Sequence, residues 1–177
     1  MIALQYLVDA LLTLYLYVLI LRFVMQLARA DFRNQLAHAV LIVTNPVIMP
    51  LRKILPPVGK VDTASVVAIL VFAALIVAAT PLILHLAVLD PVTWLRWTLL
   101  TVIRSFIFFY MGAIFIYVIL GWVIPAGYSP PMALLASICD PVLAPVRRLI
   151  PPIGGIDFSP LWVGLAFGVL LRLVPAV

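Results

Sequence analysis

Apolar residues fill four long stretches of this chain, and two shorter connections between them carry a different, helical periodicity. Crossing a bilayer core takes about 20 mainly apolar residues. The predicted spans run from Leu4 or Ala10 to Leu27, from Thr63 to Leu89, from Trp97 to Ile124 and from Pro160 to Leu173. In the first, Asp9 is a candidate N-cap and Arg22 can snorkel towards a headgroup. The second carries no formal charge and has Pro81 as an expected kink. Trp94, Trp97 and Trp122 stand where interfacial aromatics belong around the third. The fourth is short, and reaches Pro175 if Arg172 also snorkels.

The connections contain one pattern twice. NPVIMPLRKILPPVGKVD (Asn45–Asp62) returns as DPVLAPVRRLIPPIGGID (Asp140–Asp157) at a constant offset of 95. Val47, Ile48, Leu51, Ile54 and Leu55 make one helical stripe, as do Val142, Leu143, Val146, Leu149 and Ile150. The basic pairs Arg52-Lys53 and Arg147-Arg148 fall off it. This predicts a short helix lying in the bilayer interface, apolar side down and cationic side towards phosphate. Asn45 and Asp140 are its expected N-caps, with Pro46 and Pro141 at the first helical position. Pro50 and Pro145 each remove a donor near the start, so the helix begins or bends there. Pro56-Pro57 and Pro151-Pro152 end it, Gly59 and Gly154 turn the chain back, and Asp62 and Asp157 meet the positive end of the next span. A separate, preceding helix is expected in each connection, over Asn34–Val43 and Pro131–Ile138.

Upstream, LYLYVLI (Leu14–Ile20) is similar to IFIYVIL (Ile114–Leu120). The expected fold is therefore an all-α membrane protein with four transmembrane helices from two tandem parallel repeats, each with a proline-framed amphipathic interfacial helix. Residues 1–89 form repeat 1, 90–97 an external connector and 98–177 repeat 2. An even number of spans per repeat implies a pseudo-two-fold along the membrane normal. Arg29, Arg33, Arg52, Lys53, Lys60, Arg147 and Arg148 lie on the motif side, against Arg96, Arg104 and Arg172 on the other. The positive-inside rule then makes the motif loops cytoplasmic and the termini external.

Composition agrees with this and removes other classes. With 67% hydrophobic and 10% charged residues, and every acidic residue an Asp, an ordinary soluble domain is excluded. The net charge of +5 suits anionic headgroups better than nucleic acid, which is not an expected partner. Cys139 is the only cysteine and reads as a small buried residue. His38 and His85 fall on opposite faces, so no metal or cofactor is expected. Nucleophile, paired carboxylates and phosphate-cradling loop are missing as recognisable sets, so no enzyme is expected.

Arg52, Lys53, Arg147 and Arg148 are the candidate lipid- or partner-binding residues, with an internal pairing of Arg52 and Arg147 to Asp62 and Asp157 as one option. The bland alternative makes them topology determinants. Pro50, Pro56, Gly59, Asp62, Pro145, Pro151, Gly154 and Asp157 are the motif's structural residues. Asp9 and Arg104 form a candidate intramembrane pair across the first and third spans. Gly164 and Gly168 make a GxxxG, read as internal helix packing with homo-oligomerisation as the alternative.

The doubled motif, with the LILRFVMQ and ADFRNQ segments before its first copy, resembles the YggT family of bacterial and plastid membrane proteins over nearly the whole chain. The resemblance implies a small integral protein of the cytoplasmic (inner) membrane. It is associated in different lineages with osmotic or ion stress, with cell-division gene neighbourhoods and with plastid cytochrome assembly. It implies no shared biochemical activity. One departure is Thr63-Ala64-Ser65 where the second copy has Phe158-Ser159-Pro160, so the copies are not equivalent. The expected function is a membrane scaffold or assembly factor engaging lipid headgroups or a membrane-protein partner. The alternative is a small oligomeric channel or transporter lined by Asp9, Thr13, Thr80, His85, Thr101 and Ser105.

Overall fold

The computed structural model describes residues 2–30, 34–59, 61–87, 89–124, 129–152 and 157–175. Six helices carry them: α1 (Ile2–Leu27), α2 (Gln35–Ile54), α3 (Thr63–Leu84), α4 (Pro91–Val123), α5 (Pro130–Leu149) and α6 (Ser159–Leu173). Three of these, α1, α3 and α4, are long and apolar enough to cross a membrane. Among the described residues the fold is all-helical, with the long apolar helices of a membrane protein. The apolar α6 has 15 residues and so is about 22 Å long, short of the roughly 30 Å core.

α1 and α3 share the largest interface. Leu16, Leu19 and Ile20 of α1 are wholly buried, as are Ala64, Ala68 and Ala73 of α3, within 1%. Small side chains let two helix backbones approach closely, which matters where lipid removes the hydrophobic drive for helices to associate. Tyr15 stacks on Phe72 with ring centroids 4.7 Å apart. α4 packs on α3, and α5 and α6 pack on α4.

α4 starts earlier than the pattern predicts. Asp90 caps it, its Oδ1 accepting from the N–H groups of Val92 (3.1 Å) and Thr93 (3.0 Å), with Pro91 in the first turn. Residues 91–97, read from the sequence as connector, are thus its first two turns. α3 stops earlier, because His85 adopts a left-handed conformation (φ 52°) whose N–H bonds back to the Pro81 carbonyl.

The motif connections depart most from expectation. Each is one continuous 20-residue helix and not two short ones, with Pro46 and Pro50 inside α2 and Pro141 and Pro145 inside α5. The true caps are Asn34, whose Oδ1 accepts from Leu36 N–H at 3.0 Å, and Ser129. Each proline removes one donor, which frees the carbonyls of Ile42, Pro46, Ser137 and Pro141. A continuous buried stripe outweighs that loss: Ala37, Thr44 and Ile48 in α2, and Leu134, Ile138, Cys139 and Leu143 in α5. The stripe faces protein, not lipid. Ile48 and Leu143 are 0% exposed, and Val47, Leu51, Val142 and Val146 pack against the same core. Burying one such side chain away from water contributes about 1.5–3 kcal/mol. In each stripe only Ile54 and Leu149 remain outside, 78% and 82% exposed, while Leu55 and Ile150 after them are half-buried.

Candidate functional site

The first motif closes on itself through its proline-glycine turn. α2 ends before Pro56, and the turn that follows exchanges hydrogen bonds between Val58 and Val61, 3.1 Å in each direction. Gly59 has φ 61°, the left-handed conformation that glycine adopts without strain. Thr63 Oγ1 donates to the Pro56 carbonyl at 2.8 Å, tying the start of α3 to the end of α2. The turn delivers Asp62 to Arg52. Arg52 Nη2 donates to Asp62 Oδ2 at 2.7 Å and its Nε to Oδ1 at 3.2 Å, while Ser65 Oγ donates to Oδ2 at 2.6 Å.

Asp62 is 0% exposed. Burial works against its charged form, but the hydrogen bonds from Arg52 and Ser65, with the Arg52 and Arg22 charges, outweigh it and hold the carboxyl below the usual range. A carboxylate spent this way does not cap α3, and no side-chain cap bond forms there. Above this pair lies Arg22, 3% exposed. It does not snorkel: its Nη1 donates to Thr44 Oγ1 at 2.6 Å and Asn45 Oδ1 at 2.8 Å. Asn45, expected as an N-cap, is therefore mid-helix and engaged with α1.

The second motif repeats the arginine and changes its partners. Arg147 Nε donates to Asp157 Oδ2 and its Nη1 to Asp140 Oδ1, both at 2.7 Å. Asp157 Oδ1 also accepts the Ser159 N–H at 2.8 Å, at the start of α6. Partial burial opposes the Asp157 charge, but Ser159 and Arg147 hold its carboxyl below the usual range. Gly154 lies outside the described residues. Pro56 and Pro151 each follow a helix that ends as expected.

Lys53 and Arg148, the second base of each pair, are exposed beside Ile54 and Leu149. Asp9 and Arg104 do not pair: among the described residues neither takes part in an ion pair. Arg104 Nη1 donates instead to the Val174 carbonyl at 2.6 Å, beyond the end of α6, and its guanidinium lies 5.7 Å from the Phe108 ring centre. The negative end of the α6 dipole attracts it. Asp9 Oδ1 is buried without a hydrogen-bond partner among the described residues, in a groove lined by Tyr6, Ala10, Thr13, Leu14 and Tyr17, all of α1. Thr80, Thr101 and Ser105 do not line that groove. A Cβ built on Gly164 or Gly168 meets nothing within 4 Å, so no neighbouring helix of this chain uses them for close approach. Cys139 is 0% exposed and burial, then Asp140, pushes its thiol up to about 12.

Three contacts were not anticipated from the sequence: Arg22 with Thr44-Asn45, Ser65 with Asp62, and the Ala64-Ala68 packing against α1. The available signals were a Thr-Asn pair inside an apolar helix and a Ser three residues after an Asp. A fourth contact joins the two motifs. Asn34 Nδ2 donates to the Pro130 carbonyl at 2.6 Å, so α2 and α5 start side by side.

No solved structure matches this chain. Curated relatives do. An uncharacterised protein of Pseudomonas aeruginosa is 38% identical over 96% of this chain and 86% of its own length. The uncharacterised protein YggT of Escherichia coli K12 is 36% identical over 89% of this chain and 81% of its own. An uncharacterised Vibrio alginolyticus protein encoded in the proC 3′ region is 37% identical over 93% and 90%. The CCB3/YggT family model matches residues 1–83 and 96–177, on either side of the turn into α4 and with one motif in each part. The chain belongs to the CCB3/YggT family.

Proposed function

We propose that this protein is a non-catalytic scaffold of the bacterial inner membrane. In this reading α6 is a fourth span, the two halves are parallel repeats, and both motifs face the cytoplasm. The Asn34–Pro130 bond supports a shared face for the motifs, and the two-part family match supports the repeat. The observation that carries the function is a division of labour within each basic pair. Arg52 and Arg147 are held by internal carboxylates, which fix the ends of α2 and α5 on the bundle. Lys53 and Arg148 are left exposed, each beside an exposed aliphatic residue. A rigid end with one cation and one aliphatic side chain suits the headgroup layer, where a base near an anionic surface contributes about 1 kcal/mol. Anionic lipid, or a membrane protein seated at that layer, is the partner.

The test uses protein reconstituted in mixed phosphatidylglycerol and phosphatidylcholine nanodiscs, with retained lipids counted by native mass spectrometry. Wild type should retain phosphatidylglycerol preferentially, and Lys53→Ala/Arg148→Ala should lose the preference. Equal retention by both would sink the reading.

The channel alternative draws on the unpaired Asp9 carboxylate oxygen in its groove. Because α1 alone lines that groove, a pore built from it requires further copies of the chain. Protein-dependent potassium or sodium flux in liposomes, abolished by Asp9→Asn, would favour that alternative.

A further inference from the structure

The two motifs are chemically unequal, and among the described residues the inequality leaves Arg22 without a carboxylate of its own. In the first, two guanidinium groups share one carboxylate: Arg52 is bound to Asp62, while Arg22 is bonded through Nη1 only to the neutral oxygens of Thr44 and Asn45. The remaining Arg22 nitrogens donate to no described residue, and no carboxylate among the described residues pairs with it. A cation 3% exposed is costly to hold in that condition. In the second motif the balance is reversed. Asp140 stands where the first has Asn45, and Trp122 stands where the upstream alignment places Arg22.

Beside Arg22 an open pocket indents the protein. A cavity of about 250 Å³ is lined by Arg22, Gln26, Leu41 and Arg52, well above the ~10–15 Å³ that admits one water. Gln26 lies one helical turn after Arg22 on the same face of α1, offering amide donors. Arg52 spends Nε and Nη2 on Asp62, and its Nη1 donates to no described residue; its side chain is 46% exposed, which opens the cavity outward. The guanidinium nitrogens that these bonds leave over on Arg22 and Arg52, with the Gln26 amide, ring the pocket with donors suited to the oxygens of a phosphate. The depth also fits. Arg22 is five residues before the end of α1, about 7.5 Å below it, which is where lipid phosphates approach.

The geometry points to a phosphate-binding site formed by Arg22, Gln26 and Arg52 in the first motif, without a counterpart in the second. Its occupant is the phosphate of an anionic lipid headgroup or free inorganic phosphate. The lipid source rests on the headgroup-facing orientation proposed above; the site itself does not.

The decisive variant is Asn45→Asp. It gives Arg22 the carboxylate that Asp140 gives Arg147, with almost no change of shape. The full-length protein is placed in phosphatidylcholine nanodiscs and titrated with inorganic phosphate against sodium chloride of equal ionic strength, following thermal unfolding. A parallel series adds phosphatidylglycerol. Wild type should show a saturable upward shift of Tm, with phosphate for a free-ion site or with phosphatidylglycerol alone for a lipid site. Asn45→Asp should keep a Tm at or above that of unliganded wild type and bind at least about tenfold more weakly, a change of about 1.4 kcal/mol. Gln26→Glu, which supplies the carboxylate from the other wall, should do the same if Asn45→Asp fails to fold. Arg172→Gln should respond as wild type. No saturable shift in wild type, or an undiminished one in both carboxylate variants, would overturn the site. The surface reading fails separately: if Lys53→Ala/Arg148→Ala keeps its lipid preference while Asn45→Asp loses the phosphate response, the site stands and the surface does not.

Discussion

The two motifs place an arginine at the same position and solve its neutralisation in opposite ways. Arg52 meets one fully buried carboxylate that a serine hydroxyl also holds, with a second arginine close by. Arg147 bridges two carboxylates that are 47% and 30% exposed. The first arrangement therefore carries a surplus of positive charge and the second a surplus of negative charge. A duplicated sequence frame can keep its backbone geometry while single substitutions, Asn against Asp and Ser against Pro, give each copy its own electrostatics.

The largest effect should come from Asp62→Ala, which takes the nearby carboxylate from the buried Arg22 and leaves the half-exposed Arg52 unpaired. Removing one partner of a fully buried pair costs about 3–5 kcal/mol, and the half-exposed Arg52 puts this loss at the lower end, whereas Asp140→Ala leaves Arg147 its bond to Asp157 and should cost about 1 kcal/mol or less. Equal losses in thermal unfolding in detergent would erase the distinction between the motifs. Next comes Arg147→Ala, which leaves two carboxylates facing each other and should cost about 2 kcal/mol after allowing for their exposure. Adding Asp140→Asn should recover part of it, since the repulsion goes with the charge.

Acid should separate the motifs too. Asp62 and Asp157 both have folded values below the unfolded value of about 3.9. Their contribution is complete above that pH and is lost as the pH falls through the folded values. Asp62→Asn should flatten the acid limb of stability more than Asp157→Asn, because Arg147 keeps a second carboxylate. Smallest of all, Lys53→Ala/Arg148→Ala should leave unfolding within about 0.5 kcal/mol of wild type. A larger loss would mean that these bases hold the fold and are not presented by it.

Much of the architecture was legible from hydrophobic periodicity, since length and an apolar window define α1, α3 and α4. Periodicity also found the stripes of α2 and α5, but it cannot name what covers a stripe. Lipid and a neighbouring helix are equally apolar, and here the helix covers it. Capping logic failed at Asn45 and Asp140 because it treats a proline as the start of a helix, while tertiary packing carries α2 and α5 through two prolines each. The Arg52–Asp62 and Arg147–Asp157 pairs were readable as one of two options, being ten residues apart across a predicted turn. Arg22 with Asn45 and Arg104 with Val174 bridge separate elements, and nothing local in the sequence announces them.

The bond from Arg104 to the carbonyl of Val174 has a consequence for bilayer depth. Trp97 and Trp122 lie 25 residues apart on α4, about 38 Å along the axis, close to the distance between the two headgroup layers. Arg104 is seven residues inward of Trp97, about 10 Å along the axis from that headgroup layer. On the proposed reading, in which α6 spans, it ends at that depth, with bare carbonyls where water is scarce. The guanidinium supplied by α4 completes the short helix from outside, so a charge that is costly alone in the membrane serves as the last turn of its neighbour.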